Sequence, residues 1–154
     1  PYINRLGLLY SENRILEFKQ SVKKIILYIL IFGIVCLTGA TLIGVPVLNI
    51  VYNVDLSGYL SSLQLIIVGA TLIAIVTVLS TALTTFRNTK TQFGIYVIVS
   101  LAILVVSGTL VDQFGVLGAT YTYLLSTILQ FILYVLAYTK EMKKWNITCE
   151  KEML

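Results

Sequence analysis

Residues 63–91 read LQLIIVGATLIAIVTVLSTALTTFRNTKT, an apolar run that turns polar on one face and closes on a short basic stretch. Laid on a helix at about 100° per residue, Thr77, Ser80, Thr81, Thr84, Thr85 and Asn88 fall within one arc, and Val78, Leu79, Ala82, Leu83 and Phe86 share the opposite side. Inside a bilayer such a helix is expected to set its apolar side against lipid and its hydroxyls against protein or a water-lined path. The neighbouring apolar runs then read as its packing partners, and the fold class as all-α integral membrane.

Composition agrees with that reading. Of the 154 residues 58% are hydrophobic and 12% charged, and the mean hydropathy is +0.93. That leaves too little polar surface to clothe a soluble globule. The chain opens on Pro1 rather than Met, without the basic start and cleavage site of a signal peptide, so it is expected to be a piece lacking something on its N-terminal side. Cys36 lies in an apolar run and Cys149 in a charged tail, so no disulfide is expected. With no histidine, zinc sites, Ser-His-Asp hydrolysis and His proton relays are excluded within this stretch, and neither metal nor cofactor is expected.

Residues 1–24 carry Arg5, Arg14, Lys19, Lys23 and Lys24, with Ile15, Phe18 and Val22 at helical spacing. They read as a cytoplasmic amphipathic lead-in at a membrane surface, with Ser11 as a candidate N-cap. A four-helix transmembrane region is expected over 25–138, with spans of about 25–45, 63–83, 93–111 and 117–137, followed by a polar tail over 139–154. Ala40 and Gly44 have the spacing that lets a neighbouring helix approach closely, and Pro46 is expected to kink or end the first span. Tyr52 and Tyr59 suit a headgroup belt, Trp145 an interface anchor, and residues 146–154 a frayed end.

Charge sets the orientation. Five Lys and Arg precede the first span, Arg87 and Lys90 lie between the second and third, and four follow the fourth, which accounts for all eleven. The positive-inside rule then places both ends and the Arg87–Lys90 turn in the cytoplasm, with Asp55 and Asp112 outside.

Chemistry-bearing patterns are sparse. No Asp, Glu, Lys or Arg falls within the four apolar cores, where a pump or proton-coupled transporter places at least one. Paired carboxylates, phosphate-binding Gly loops and nucleophile motifs are missing too, so no enzyme is expected. The substrate-path candidates are Thr77, Ser80, Thr81, Thr84 and Asn88, whose small polar groups suit a polar headgroup. Against that stands packing: Thr and Ser in membrane helices commonly bond to their own backbone or to a neighbouring helix. Arg87 and Lys90 are candidates for lipid phosphate, although positive-inside bias alone would put them there. Gln64 and Gln130 read as interhelical glue.

Taken in order, Pro1-Tyr2-Ile3-Asn4-Arg5, Pro46 followed by Leu48-Asn49-Ile50-Val51-Tyr52, the polar turn ending in Lys90, and Gly115-Val116-Leu117-Gly118-Ala119 form a pattern. The chain resembles the C-terminal portion of bacterial polysaccharide (O-antigen or capsule type) flippases of the multidrug/oligosaccharidyl-lipid/polysaccharide exporter superfamily. Asn53 stands where that family pattern would have Gly. The resemblance implies the last four helices of a two-lobed transporter of twelve to fourteen helices, with a preceding lobe as partner. It also implies a bacterial or archaeal cytoplasmic membrane and a lipid-linked oligosaccharide as cargo. In the family the charged cavity belongs mainly to earlier helices, which implies that this stretch is largely scaffold. A multidrug exporter of the same superfamily and a non-transport four-helix scaffold are the alternatives.

Overall fold

The structure is a computed structural model that describes residues 2–53 and 57–152, and all its described secondary structure is helical. Asp55, expected in an outer loop, lies outside the described residues, as does Pro1 of the first family motif. Three helical runs are long and apolar enough to cross a membrane: Ile15–Tyr52, Leu60–Thr85 and Thr89–Cys149.

Helix α1, Tyr2–Ser11, ends where Asn13 adopts a left-handed conformation (φ 57°). The Arg14 amide donates to the Leu9 carbonyl (3.0 Å) and the Asn13 amide to that of Tyr10 (3.2 Å), the paired bonds of a Schellman cap. Ser11 is therefore not the N-cap expected of it. Its hydroxyl donates backward to the Leu8 carbonyl (2.8 Å), and the next helix begins beyond Arg14 without a side-chain cap.

Helix α2, Ile15–Gly39, carries Lys19, Lys23 and Lys24 on the same continuous helix as the first apolar run. Phe18 and Val22, read as facing a membrane surface, are instead buried in the protein core. The helix also does not stop at Pro46. A π-helical turn, Ala40–Gly44, leads directly into α3, Val45–Tyr52. Widening the turn ahead of the proline accommodates its missing N–H and its ring, so the helical path runs on. It ends on Asn53, left-handed at φ 50°, where asparagine is the usual substitute for glycine. The far half of this run packs on the next helix: Gly44 approaches Leu63, and Gln64 Nε2 donates to Thr41 Oγ1 (3.2 Å).

Helix α4, Leu60–Thr85, is followed after three residues by α5, Thr89–Glu152. α5 is interrupted at Gly115 (φ 56°, ψ −127°), a conformation that glycine alone adopts readily. Its two limbs, 89–114 and 116–152, fold back on each other, since the Tyr96 and Tyr134 rings meet at 6.1 Å although they lie on opposite sides of Gly115. Gly118 makes the fold-back possible: a Cβ there would lie 1.9 Å from the Leu110 carbonyl oxygen. Elsewhere Gly33 and Gly69 seat Thr71 and Tyr123, while Gly39 and Gly94 face open space.

The core sits at one end of the bundle. Leu6, Phe18, Ala82, Leu83 and Tyr134 are all fully buried, and an aromatic cluster joins four segments there. Tyr10 packs on Phe86 (5.3 Å between ring centroids), Phe18 on Trp145 (5.4 Å) and Phe86 on Trp145 (5.8 Å). Trp145 is thus not an interface anchor. It is buried, and its indole N–H donates to Asn13 Oδ1 (3.2 Å), so the protein itself supplies both the apolar surroundings and the polar partner that a membrane interface would offer. Docking of Met142 and Trp145 also keeps the tail helical through Glu152, where fraying was expected. All three basic segments meet at this end.

Candidate functional site

Helix α4 has two faces, but they are turned the opposite way from the sequence expectation. Its apolar side, with Val78, Leu79, Ala82 and Leu83, is buried in the bundle, whereas Thr77 and Thr84 are exposed and Ser80, Thr81 and Thr85 half-buried. The physical reason is that side-chain polarity does not distinguish a lipid-facing apolar surface from a protein-facing one, since both media are apolar. Here the larger aliphatic side chains fill the core and the hydroxyls form an outward stripe.

Each threonine of the stripe directs its hydroxyl proton to the carbonyl one turn back: Thr77 to Ile73 (2.9 Å), Thr81 to Thr77 (2.9 Å), Thr84 to Ser80 (3.0 Å) and Thr85 to Thr81 (3.2 Å). Their oxygen lone pairs stay directed outward, so the stripe offers acceptors more than donors. Ser80 differs. It donates to Gln92 Oε1 (3.0 Å), and Gln92 Nε2 returns bonds to the Ser80 carbonyl (3.2 Å) and Thr84 Oγ1 (3.0 Å). Gln92 thus clamps the inner edge of the stripe to α5.

At the foot of α4 the chain repeats the Schellman closure of α1. The Asn88 amide donates to Leu83 O (3.3 Å) and the Arg87 amide to Thr84 O (2.9 Å), with Arg87 left-handed at φ 56°. A long β-carbon-bearing side chain in this conformation costs about 1 kcal/mol or more. Asn88 then caps α5, its Oδ1 accepting from the Thr91 hydroxyl (2.7 Å) and amide (3.3 Å), while its Nδ2 donates to Glu141 Oε1 (3.0 Å). Both ends of the Asn88 amide are occupied by structure, so it is a tertiary tie and not a lining residue.

A groove of about 680 Å³ runs beside the stripe. Thr81, Thr84, Thr85 and Arg87 form one wall, and Asn4, Tyr10 and Ser11 of α1 face them. The structure therefore brings Thr81, Thr84 and Arg87 together. Thr77 stands further along α4, Ser80 turns toward α5, and Lys90 is exposed outside the groove. The α1 wall was not anticipated, though Asn4, Gly7 and Ser11 recur at helical spacing opposite the buried Leu6 and Leu9. Among the described residues Arg87 has no ion pair, whereas Arg14 is held by Glu17 and Glu12. Those hydrogen bonds, Glu17's first, push the Arg14 guanidinium pKa above its ordinary value.

The arrangement can accept hydrogen bonds from a hydroxyl-rich molecule and place one positive charge beside an anionic group. Neither a family model, nor a curated protein, nor a solved structure matches the chain.

Proposed function

We propose that the chain is the C-terminal part of a flippase that moves lipid-linked oligosaccharide across a bacterial or archaeal cytoplasmic membrane for cell-surface polysaccharide synthesis. The two limbs of α5 each serve as a pass, which with α2–α3 and α4 makes four, and the end holding the three basic segments lies in the cytoplasm. A preceding lobe of the same protein completes the transporter.

One observation carries this reading: a stripe of hydroxyl acceptors on the outward side of an apolar membrane helix, opening into a groove with Arg87 at its foot. Lipid tails offer such a stripe no polar partners, whereas sugar hydroxyls donate to it and a pyrophosphate link pairs with the guanidinium. The resemblance of the sequence motifs to the polysaccharide flippases supports the same cargo. Arg87, among the described residues the one charged side chain lining the groove, weighs against the multidrug-exporter alternative, because it repels the amphipathic cations such an exporter moves.

The test is complementation. The complete gene is expressed in a host lacking its own O-antigen or capsule flippase, and surface polysaccharide is scored. The wild type is expected to restore export, and Thr81→Val with Thr84→Val to lower it about tenfold at equal membrane abundance, the loss of two hydrogen bonds to the cargo. Full export by that double variant would refute the role of the stripe. Absence of export by abundant wild type, across hosts with different sugars, would refute the cargo.

A further inference from the structure

A second groove, of about 430 Å³, lies on a different side of the same end, between the start of α2 and the last turns of α5. Its lining is apolar at the bottom and basic at the rim: Val22, Ile26 and Met142 below, Lys19, Lys23 and Lys143 around them. No acidic side chain among the described residues lines it. Among the described residues none of the three lysines forms an ion pair, whereas Lys144 on the same stretch is bound to Glu141 (2.8 Å).

Two features locate this groove at the boundary between headgroups and hydrocarbon. On α2 the uncharged run starts at Ile25, and on α5 it ends at Thr139, so both walls change from apolar to basic at the same level. Lys19 and Lys23 are also one helical turn apart, a like-charge pairing that is unfavourable unless an anion lies between them. Lys143 approaches the same opening from another helix. Positive-inside bias asks only that cations lie near the membrane end. It does not require three unpaired cations on two helices to converge over an apolar floor.

We infer that this groove is a binding site for an anionic phospholipid of the surrounding membrane, with the phosphate held by Lys19, Lys23 and Lys143 and the upper acyl chain lying on Val22, Ile26 and Met142. A lipid bound there bridges the first membrane helix to the last. The site is separate from the α1–α4 groove and does not rest on the cargo proposed for it.

The test is native mass spectrometry of the protein purified in non-ionic detergent and titrated with dioleoylphosphatidylglycerol or dioleoylphosphatidylcholine. Phosphatidylglycerol is expected to bind preferentially. The K19Q/K23Q/K143Q variant should lose that preference by roughly fivefold per lysine, on the order of a hundredfold in all. The K24Q/K140Q/K144Q variant removes equal charge from the same membrane side and should keep the preference. Circular dichroism checks that both variants retain their helix content, since all six lysines are exposed. Equal binding of the two lipids, or equal loss in the two variants, would overturn the site in favour of diffuse surface charge. Displacement of the lipid by its water-soluble glycerophosphoglycerol headgroup at the same concentration would overturn the acyl half of the inference.

Discussion

Gly118→Ala tests the fold-back of α5 directly. A Cβ at this position would lie 1.9 Å from the Leu110 carbonyl oxygen, 2.5 Å from its carbon and 3.0 Å from the Val111 nitrogen, where ordinary contact begins at 3.4 Å. All three obstacles are backbone, so no rotamer change relieves them, and the limbs must part by about 1.5 Å. Overpacking of this kind costs about 3 kcal/mol. Alanine returns up to about 1 kcal/mol through its better helix propensity, leaving a net loss of roughly 2 kcal/mol, close to thirtyfold in the folded-to-unfolded ratio. Gly108→Ala is the internal control: a Cβ there meets nothing within 4 Å, so the substitution should be neutral or slightly stabilising. Both variants can be unfolded with sodium dodecyl sulfate in mixed micelles and followed by circular dichroism. If Gly118→Ala proves as stable as Gly108→Ala, the limbs do not pack as described and the reasoning fails.

Two further outcomes follow from the end that holds the core. Asn88→Ala should lower stability by about 1–2 kcal/mol in the same titration, through loss of the α5 cap and of the bond to Glu141; an effect on export alone, with stability unchanged, would restore Asn88 as a lining residue. Trp145, the one tryptophan, should emit at short wavelength and resist a nitroxide quencher attached to lipid headgroups, whereas quenching as strong as that of an exposed indole would place it in the headgroup belt.

The apolar runs were legible because a bilayer demands about twenty uncharged residues per crossing, and few other structures do. The shared location of the basic segments was legible for a related reason, since their alternation with uncharged loops leaves one consistent arrangement. The orientation of α4 was not. Val78, Leu79, Ala82 and Leu83 are equally content against lipid tails or against Tyr134, and periodicity reports only that two faces differ. Of the two outcomes expected at Pro46, ending the helix does not occur, because a single widened turn, invisible in the residue pattern, breaks the regular α geometry and lets the helical path pass the proline. Trp145 could satisfy its ring and N–H either at headgroup level or in a protein core, and what decided between them was Asn13, more than a hundred residues earlier in the chain. Of the site candidates, Thr81, Thr84 and Arg87 converge on a groove. Asn88 proved structural because its partner Glu141 comes from the tail, a pairing that sequence spacing does not announce.

The seating of Trp145 and Met142 against Asn13 and Phe18 has a consequence for how the molecule is made. Synthesis is vectorial, and the ribosome releases Phe18 well before Phe86 and more than a hundred residues before Trp145, the two rings that pack on it. Until the last turns of α5 emerge, Phe18 of α2 has Phe86 at the foot of α4 against it but lacks the indole that closes the cluster. The C-terminal segment is therefore the last piece of assembly and not its foundation: a chain halted short of Met142 keeps Tyr10 and Phe18 packed on Phe86 but lacks the indole that all three rings meet.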